Sequence, residues 1–477
     1  MNQPMRRLSL VIIVMFATLF AALSYIQFFA ADSLNSDARN VRTLYREYGV
    51  NRGPIIVAGD AIVTSVPTDG TYKYQRTYLN GPVYATVTGY FSVVYNAMTG
   101  LERSMNKILG GTDSSLAVHQ IGESLTGESR QGGAIALTLD AAAQQAAYEA
   151  LSGRKGAVAA IEPSTGKILA LVSSPSFDPN EIANHDVQTA RNAWDALNAN
   201  TDKPTLNRAA GGDLYPPGSI FKVITAAAML ESGITPETEI EAPTKWAPPG
   251  TSFEIGNSNG VCGDGSGKTT LRTAFTESCN TPFAIAGTNL GAETMIAKAE
   301  AFGFHEEFKI PMRVAPSLFP QPADTPALAM DSFGQKDIQV SPLQMAMVAA
   351  AVANDGVVMT PYLVDQTLTA DLEVISQTKP KAFNRAMSSE VASQLRAMMI
   401  DVMKTPTLSR LAVPGVELAG KTGTAQLSEG DPHSWLIAFD ASSEPKIAVA
   451  VFVENGGLGS GAAGEITQKV ISAVVNK

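Results

Sequence analysis

The sequence predicts an α+β protein: an antiparallel sheet flanked by helices, plus an all-helical part, on a small N-terminal pedestal with one N-terminal transmembrane helix. Three observations predict this class. An apolar run opens the chain, strand-like segments lie at both ends of the region after residue 130, and Ala-rich helical segments fill its middle. Strands that bracket a helical middle are typical of an antiparallel sheet covered by helices.

Length and composition limit the possible functions. The chain has 477 residues, enough for two or three domains with real hydrophobic cores. Its 45% hydrophobic and 17% charged residues are ordinary for a globular protein with some added apolar sequence. The net charge of −10 argues against a nucleic-acid partner, because binding to phosphates favours a basic surface.

The added apolar sequence covers residues 8–31, directly after Arg6 and Arg7. At about 1.5 Å rise per residue, such a helix crosses a hydrocarbon core of roughly 30 Å. The alternative is a cleaved signal peptide, whose apolar region is typically about 7–15 residues long and ends at a small-x-small site. This run is longer, and residues 28–31 form a poor cleavage site. We therefore predict an uncleaved transmembrane anchor.

Charges on both sides of the anchor bear on its orientation. The two arginines before it favour a cytoplasmic N-terminus, so residues 1–7 are expected to be a cytoplasmic tail. Arg39, Arg42 and Arg46 on the far side weaken this assignment, although long domains cross the membrane largely regardless of charge. We expect a single-pass protein of the cell membrane with its larger part extracytoplasmic.

Residues 32–130 are polar and Gly-rich, with aromatic patches and without a catalytic pattern. Short strands are predicted at 54–57 and 61–64, and a helix at 101–109. We interpret this stretch as a small pedestal and residues 131–477 as the main domain.

The main domain opens with a predicted strand over 134–139 and a helix over 140–151, with Asp140 as its N-cap. A strand–turn–strand pattern over 156–172 then predicts a hairpin. The remaining predicted elements are helices over 292–302 and 342–353, a strand over 446–453 and a helix over 464–475.

The chain has two cysteines, Cys262 and Cys279. Outside the cytoplasm a nearby pair favours a disulfide, which on the chain-entropy model would stabilise the fold by about 3 kcal/mol. Two buried thiols are the alternative. The four histidines are scattered, so no metal site is expected.

The first chemical motif places Ser219 and Lys222 three residues apart, where a Pro-Pro-Gly approach meets a predicted buried helix. Lys222 would share a helix face with Ser219, and free N–H groups in the first turn favour negative charge. A serine hydroxyl is a poor nucleophile until a base takes its proton, and a lysine with a pKa lowered by burial can serve. Alone, Ser-x-x-Lys is weak evidence, since a capping serine beside a surface lysine has the same spacing.

Two motifs further along the chain strengthen the first. Ser278 and Asn280 form Ser-x-Asn, and Lys421, Thr422 and Gly423 form Lys-Thr-Gly between apolar stretches that predict a strand. Ser-x-x-Lys, Ser-x-Asn and Lys-Thr-Gly in this order are typical of penicillin-binding proteins and class A β-lactamases.

Over residues 130–477 the sequence therefore resembles the penicillin-binding transpeptidase family. Shorter sequence motifs that add to the resemblance lie at 163–166, 176–180, 207–209, 334–335 and 340–346. The anchor, the short pedestal and Gly100-Leu101-Glu102 resemble the compact class B branch of penicillin-binding protein A type, which makes the pedestal dimerisation-like.

The resemblance implies a peptidoglycan D,D-transpeptidase that acts through a serine acyl-enzyme and needs no cofactor. Ser219 would attack the penultimate D-Ala carbonyl of a stem peptide, and Lys222 would accept the hydroxyl proton. Ser278, helped by Lys421, would relay a proton to the leaving amine. Asn280 would hydrogen-bond the substrate amide and Lys222.

The resemblance also implies how the substrate is held. Backbone N–H groups of Ser219 and Thr424 would form the oxyanion hole, while Thr422, Gly423 and Thr424 would bind the substrate. The Lys421 strand would pair with the extended peptide. The implied partners are stem peptides, β-lactam antibiotics, the membrane, and other proteins of wall synthesis or division.

Cys279 lies between the two polar residues of Ser-x-Asn. A bond from Cys279 to Cys262 would brace the loop that carries Ser278 and Asn280. This hypothesis predicts that loss of either cysteine slows acylation.

Several alternatives compete with this interpretation. Residues 263–269 nearly match a nucleotide P-loop, but Cys262 stands where glycine is required. A β-lactamase or D,D-carboxypeptidase would use water to release the acyl group, yet no Glu-x-x-x-Asn motif lies between Asn280 and Lys421. A penicillin sensor would carry more apolar spans, and a scaffold would tolerate loss of Ser219. His433 is either the start of the next strand or a substrate contact.

Overall fold

The computed structural model describes residues 3–30, 49–70, 72–116, 131–427 and 429–476. The predicted pedestal boundaries at 32 and 130 lie outside the described residues, as do residues 1–2 of the predicted tail and the arginines at 39, 42 and 46. The division into domains therefore stays a prediction.

Nineteen strands are assigned within the described residues. In chain order they are β1 Ile55–Val57, β2 Asp60–Pro67, β3 Tyr74–Tyr78, β4 Phe91–Ser92, β5 Ala97–Met98, β6 Ala134–Leu137, β7 Gly156–Ile161, β8 Ile168–Ser174, β9 Glu239–Glu241, β10 Lys245–Trp246, β11 Ile255–Gly256, β12 Lys268–Thr270, β13 Val357–Met359, β14 Val364–Leu368, β15 Val374–Gln377, β16 Ala382–Arg385, β17 Leu418–Ala425, β18 His433–Asp440 and β19 Ala448–Val453.

The α-helices of the described residues are α1 Gln3–Ser24, α2 Gly81–Thr88, α3 Gly100–Ser104, α4 Asn106–Leu109, α5 Ala141–Leu151, α6 Pro179–Ala183, α7 Val187–Ala199, α8 Lys222–Glu231, α9 Leu271–Thr276, α10 Thr281–Leu290, α11 Ala292–Ala301, α12 Thr325–Asp331, α13 Pro342–Ala353, α14 Ser389–Lys404 and α15 Ala462–Val475. A π-helical turn covers Tyr25–Phe29, and 3₁₀ turns cover Ser114–Leu116, Gly218–Phe221 and Ser409–Leu411.

The main sheet has five antiparallel strands in the order β17-β18-β19-β7-β8. Every residue of β7, β18 and β19 is buried, so both faces of the sheet are covered. Helix α13 packs on β19 and β7, and α15 packs on β18, β19 and α5. The predicted antiparallel sheet with flanking helices is confirmed, and it leaves β17 at one edge.

Local sequence patterns predict the positions of most of these helices and strands. Asp140 caps α5 by accepting a hydrogen bond from the backbone N–H of Ala143, as predicted. The predicted helix over 101–109 is wrong in one respect, because the structure has two short helices, α3 and α4. Met105 separates them, since its φ of −103° and ψ of 17° lie outside the helical region.

A second sheet joins the N-terminal part of the chain to the rest. Its order is β15-β14-β6-β1-β2-β3, with β1 parallel to β6 and the other pairs antiparallel. Strand β6 was predicted to open the main domain, and it bonds on one side to β1 and on the other to β14. The N-terminal part is therefore tied to the main part by backbone hydrogen bonds.

A buried ion network holds the N-terminal part together. Glu102 accepts from Arg52 Nη2 at 2.8 Å and from Arg76 Nε at 2.6 Å, and its side chain is fully buried. Burial raises the pKa of Glu102, but the charges of Arg76 and Arg52 outweigh it and hold that pKa below its usual value. The carboxylate therefore stays charged and compensates both cations.

The N-terminal helix α1 and the π-helical turn after it form the segment Gln3–Phe29. Within the described residues it is the one helix long and apolar enough to cross a membrane, and a signal sequence would meet the same criteria. None of its most apolar stretch is buried against the rest of the protein.

Candidate active site

A turn that packs against strand β17 of the main sheet positions Ser219. Gly218 has φ of 57°, and its N–H donates to the Gly334 carbonyl at 2.8 Å. A Cβ at Gly218 would lie 2.8 Å from the Thr424 carbonyl oxygen, so only glycine lets the turn approach β17 this closely. The turn leads into α8, whose residues are buried up to Leu230. Ser219 lies in the 3₁₀ turn Gly218–Phe221, one turn ahead of its predicted position in the buried helix, because the α-helix itself begins at Lys222.

Lys222 lies at the start of α8 with a fully buried side chain. Its Nζ donates to the Ser278 carbonyl at 2.6 Å and to Asn280 Oδ1 at 2.9 Å, and it lies 3.4 Å from Ser278 Oγ. Burial, followed by the nearby charge of Lys421, lowers the pKa of Lys222 well below its ordinary value. A neutral amine is therefore accessible here, as a general base requires.

Lys421 on β17 is the second buried lysine. Its Nζ donates to Ser278 Oγ at 2.7 Å, and burial lowers its pKa to about 7. Ser278 thus lies between two lysines, one bonded to its hydroxyl and one to its carbonyl. This arrangement allows a proton to pass through the Ser278 hydroxyl.

The loop that carries Ser278 has an unusual backbone conformation. Ser278 has φ of 60°, in the left-handed region that non-glycine residues rarely adopt. The following residue, Cys279, is joined to Cys262 by a disulfide, with the two Cα atoms 5.8 Å apart. Asn280 is held from the other side, because its backbone N–H donates to Asn257 Oδ1 at 2.8 Å. These contacts hold the backbone that carries both polar side chains.

Strand β17 forms one wall of the site. It lies at the edge of the five-stranded sheet and pairs on one side only, with β18. Thr422 and Thr424 line the cleft. Gly423 is buried, and a Cβ there would lie 2.8 Å from the Pro217 carbonyl oxygen, so Gly423 permits close packing against the turn before Ser219.

Most of the predicted site residues meet at one cleft of about 760 Å³, whereas Gly423, which was predicted to bind substrate, packs against Pro217 instead of lining the cleft. Its lining includes Ser219, Ser278 and Asn280 together with Thr422 and Thr424, while the two lysines are buried below the surface. This combination of a serine hydroxyl in the cleft, two lysines with lowered pKa and a strand edge free to pair suits acyl transfer.

The model of the penicillin binding protein transpeptidase domain matches residues 156–475. This chain belongs to the penicillin-binding protein transpeptidase family. A second model, the penicillin binding protein A dimerisation domain, matches residues 52–135.

The sequence similarity of this penicillin-binding protein to its relatives covers nearly the whole chain. Peptidoglycan D,D-transpeptidase PbpA of Mycolicibacterium smegmatis is 42% identical over 96% of this chain and 94% of its own length. The Mycobacterium tuberculosis PbpA is 41% identical over the same shares. The structure of penicillin-binding protein A from M. tuberculosis as a ceftriaxone acyl-enzyme complex has a TM-score of 0.87 and 41% identity, covering 90% of this chain and 99% of that one. The predicted resemblance to the penicillin-binding protein A type is confirmed.

Two residues of the penicillin-binding site were missed by the sequence reasoning. Asn257 orients Asn280 and also accepts from the backbone N–H of Thr281 at 3.0 Å. No sequence pattern marks it. Gln335 lines the cleft and its Nε2 lies 3.4 Å from the Thr424 carbonyl oxygen. The short motif at 334–335 contributes to the family resemblance, but it assigns Gln335 no role.

The near match to a P-loop does not form a phosphate cradle in this penicillin-binding protein. Its residues 263–269 end in the short strand β12, whereas a P-loop opens a helix. Cys262, Glu277 and Cys279 lie close enough together to suggest a metal site, but the two sulfurs are bonded to each other. His433 opens β18, and its Nδ1 accepts from the backbone N–H of Asn455 at 3.1 Å.

Proposed function

We propose that this chain is a monofunctional peptidoglycan D,D-transpeptidase in which Ser219 forms acyl-enzymes with stem peptides and with β-lactams. The observation that carries the proposal is the convergence of Ser219, Ser278 and Asn280 on one cleft above two buried lysines. The relatives named peptidoglycan D,D-transpeptidase, and the β-lactam acyl-enzyme of the M. tuberculosis protein, support it.

Acylation begins with loss of the Ser219 hydroxyl proton to neutral Lys222. The freed oxygen attacks the penultimate D-Ala carbonyl, and backbone N–H groups of Ser219 and Thr424 stabilise the oxyanion. Donors of this kind contribute roughly 3 kcal/mol each. The C–N bond then breaks, the acyl group stays on Ser219, and the terminal D-Ala leaves as an amine.

The leaving amine needs a proton, and Ser278 is placed to supply it. Its hydroxyl is bonded to Lys421 at 2.7 Å and lies 3.4 Å from Lys222 Nζ. Because the pKa of Lys421 is lowered to about 7, this lysine can both give and accept a proton near neutral pH. The proton taken from Ser219 can therefore reach the leaving group through Ser278.

The substrate backbone is expected to extend β17 as an added strand. The free edge of β17 offers main-chain hydrogen bonds, and Thr422 and Thr424 bind the terminal carboxylate beside the charge of Lys421. An amine from a second stem peptide then attacks the ester, restores the Ser219 hydroxyl and forms the cross-link. Water as the acceptor would instead make the enzyme a carboxypeptidase.

The site acts outside the cytoplasm in this proposal. The apolar run at 8–31, most of which lies in the helical segment Gln3–Phe29, would anchor the protein in the cell membrane as a single span, with residues 1–7 cytoplasmic. Residues 32–130 would form the pedestal and residues 131–477 the catalytic domain. Other wall-synthesis or division proteins would be its partners.

Turnover of a synthetic stem peptide tests the proposal. The full-length protein in nanodiscs is given a peptide ending in D-Ala-D-Ala and an amine acceptor, and mass spectrometry follows D-Ala release and the cross-linked product. Ser219→Ala should abolish both, while Ser258→Ala, which removes another hydroxyl from the same cleft, should retain them. Product formation by Ser219→Ala, or hydrolysis without cross-linking by the unmodified protein, would contradict a transpeptidase.

A further inference from the structure

A second cleft of about 720 Å³ lies where the N-terminal part of the chain meets the main part. We call it the junction cleft; its lining comes from three stretches of chain, at 85–104, 177–207 and 311–313. None of its lining residues lines the active-site cleft. Ligand sites commonly form at such junctions, where two parts of a fold contribute different chemistry.

Aromatic rings form one wall of the junction cleft. Tyr90 packs edge-on against Phe177 at 6.3 Å and against Trp194 at 6.1 Å. Trp194 is carried by α7, a helix with Ala190 as its one buried residue. Trp194 and Phe177 are half-buried, whereas Tyr90 is buried behind them, so Trp194 and Phe177 offer the accessible ring surface. Such a wall suits a flat, partly apolar ligand face, such as the C–H face of a sugar ring.

The charge of the junction cleft is opposite to that of the whole protein. Arg103 and Arg313 line it, and no aspartate or glutamate does, although the chain carries a net charge of −10. Arg103 is exposed and has no ion-pair partner among the described residues. Arg313 is 3.4 Å from Glu307, in an exposed pair that contributes little. Arginine is well suited to bind carboxylates.

A polar group in the junction cleft has a fixed orientation. Asn207 Oδ1 accepts hydrogen bonds from the backbone N–H groups of Ala209 at 3.1 Å and Ala210 at 3.2 Å. The Nδ2 group of Asn207 has no acceptor among the described residues. It is therefore available to a ligand hydroxyl or acetamido oxygen.

We propose that the junction cleft is a second binding site for peptidoglycan, which holds the glycan of an uncross-linked strand apart from the acylation site. Sugar faces pack on the aromatic wall, a carboxylate of an attached stem peptide pairs with Arg103 and Arg313, and Asn207 donates to a sugar substituent. A free stem peptide has no sugar face for the aromatic wall, and the acyl chain of a lipid has no acceptor for Asn207. The assignment rests on the proposed function, which makes this polymer the substrate.

Two sites on one polymer change the kinetics of the reaction. A strand held in the junction cleft presents its stem peptides to Ser219 at a raised effective concentration. A short stem peptide cannot reach both sites. A substitution that weakens binding in the junction cleft should therefore raise KM for the polymer and leave turnover of a short stem peptide unchanged.

Binding to the full-length protein in nanodiscs tests the site, with the active cleft first blocked by penicillin G. Soluble glycan strands with intact stem peptides are the probe, and microscale thermophoresis measures Kd. The other arms use the same strands with their carboxylates converted to amides by carbodiimide coupling to ammonia, and free stem peptide. Trp194→Ala and Arg103→Gln are compared with Arg191→Gln, which removes an exposed charge from the same helix as Trp194 without touching the cleft.

The blocked protein should bind intact strands, and Trp194→Ala should weaken binding about tenfold or more. Arg103→Gln should weaken binding of intact strands but not of amidated ones, while Arg191→Gln should match the unmodified protein. Equal binding by all variants, or no binding to the blocked protein, would overturn the junction site. Failure of penicillin to acylate the unmodified protein would instead count against the proposed function.

Discussion

Replacing Asp331 with asparagine should stabilise the protein at alkaline pH, because Asp331 is a carboxyl group buried below the active-site turn. Its Oδ1 accepts from the backbone N–H of Asp337 at 2.9 Å, while its Oδ2 is buried without a partner among the described residues. Its backbone carbonyl accepts from Gly334, whose own carbonyl accepts from Gly218. Burial raises the pKa of Asp331 from 3.8 to about 7, against the lowering effect of the Asp337 hydrogen bond.

The magnitude follows from the two pKa values. The folded protein holds this proton more tightly than the unfolded chain, so the stabilisation is full below pH 3.8 and is lost as pH rises through about 7. At about 1.4 kcal/mol per pH unit, the whole loss is about 4 kcal/mol, and about 2.5 kcal/mol of it falls between pH 5 and pH 8. Asparagine keeps the oxygen acceptor and cannot ionise, so it removes this loss.

Urea unfolding at pH 5 and pH 8 measures the effect. Between these pH values, the unmodified protein should lose about 2.5 kcal/mol more unfolding free energy than Asp331→Asn. Asp371→Asn, which removes an exposed carboxyl, is the matched control and should follow the unmodified protein. Asp331→Asn should still be acylated by penicillin, since the Oδ1 contact to the loop is retained. Parallel stability curves for the unmodified protein and Asp331→Asn would refute the reasoning.

Three further changes probe the catalytic relay, the disulfide and the buried ion network. Lys421→Ala should slow penicillin acylation by roughly 100-fold or more because Ser278 loses its proton donor, and stopped-flow labelling that shows a normal rate would contradict this. Cys262→Ser and Cys279→Ser should each lower the unfolding free energy by about 3 kcal/mol and slow acylation. Unchanged acylation kinetics would contradict the hypothesis that the disulfide braces the Ser278 loop. Glu102→Gln should lower unfolding free energy by about 3–5 kcal/mol, since it leaves two buried arginines uncompensated, and a loss within error in urea titrations would count against that network.

The catalytic elements could be predicted from the sequence because each rests on a local pattern. The apolar run after Ser219 predicts α8, the apolar stretches on either side of Lys-Thr-Gly predict β17, and Asp140 marks the start of α5. Three short motifs in a fixed order then supplied the roles of the side chains. Patterns of this kind involve neighbouring residues only, so they can be recognised without knowing how distant segments pack.

The features that were missed depend on contacts between distant segments. Strand β14 has one buried residue, Leu368, so its pattern gives no sign that it pairs with β6. Asn257 accepts a hydrogen bond from the backbone of Asn280 only because the fold places the loop between β11 and β12 beside Asn280. The packing role of Gly423 depends on the approach of Pro217 from another part of the chain. The junction cleft likewise needs Trp194 and Arg103 to be brought together by the fold.

The central claim is that Ser219 is the residue acylated in this site. Its most direct test is mass spectrometry of the full-length protein after treatment with penicillin G, followed by peptide mapping. We expect the mass to increase by one penicillin molecule, the adduct to map to Ser219, and Ser219→Ala to show no increase while Ser258→Ala labels normally. An adduct on another residue, or labelling that persists in Ser219→Ala, would contradict the claim.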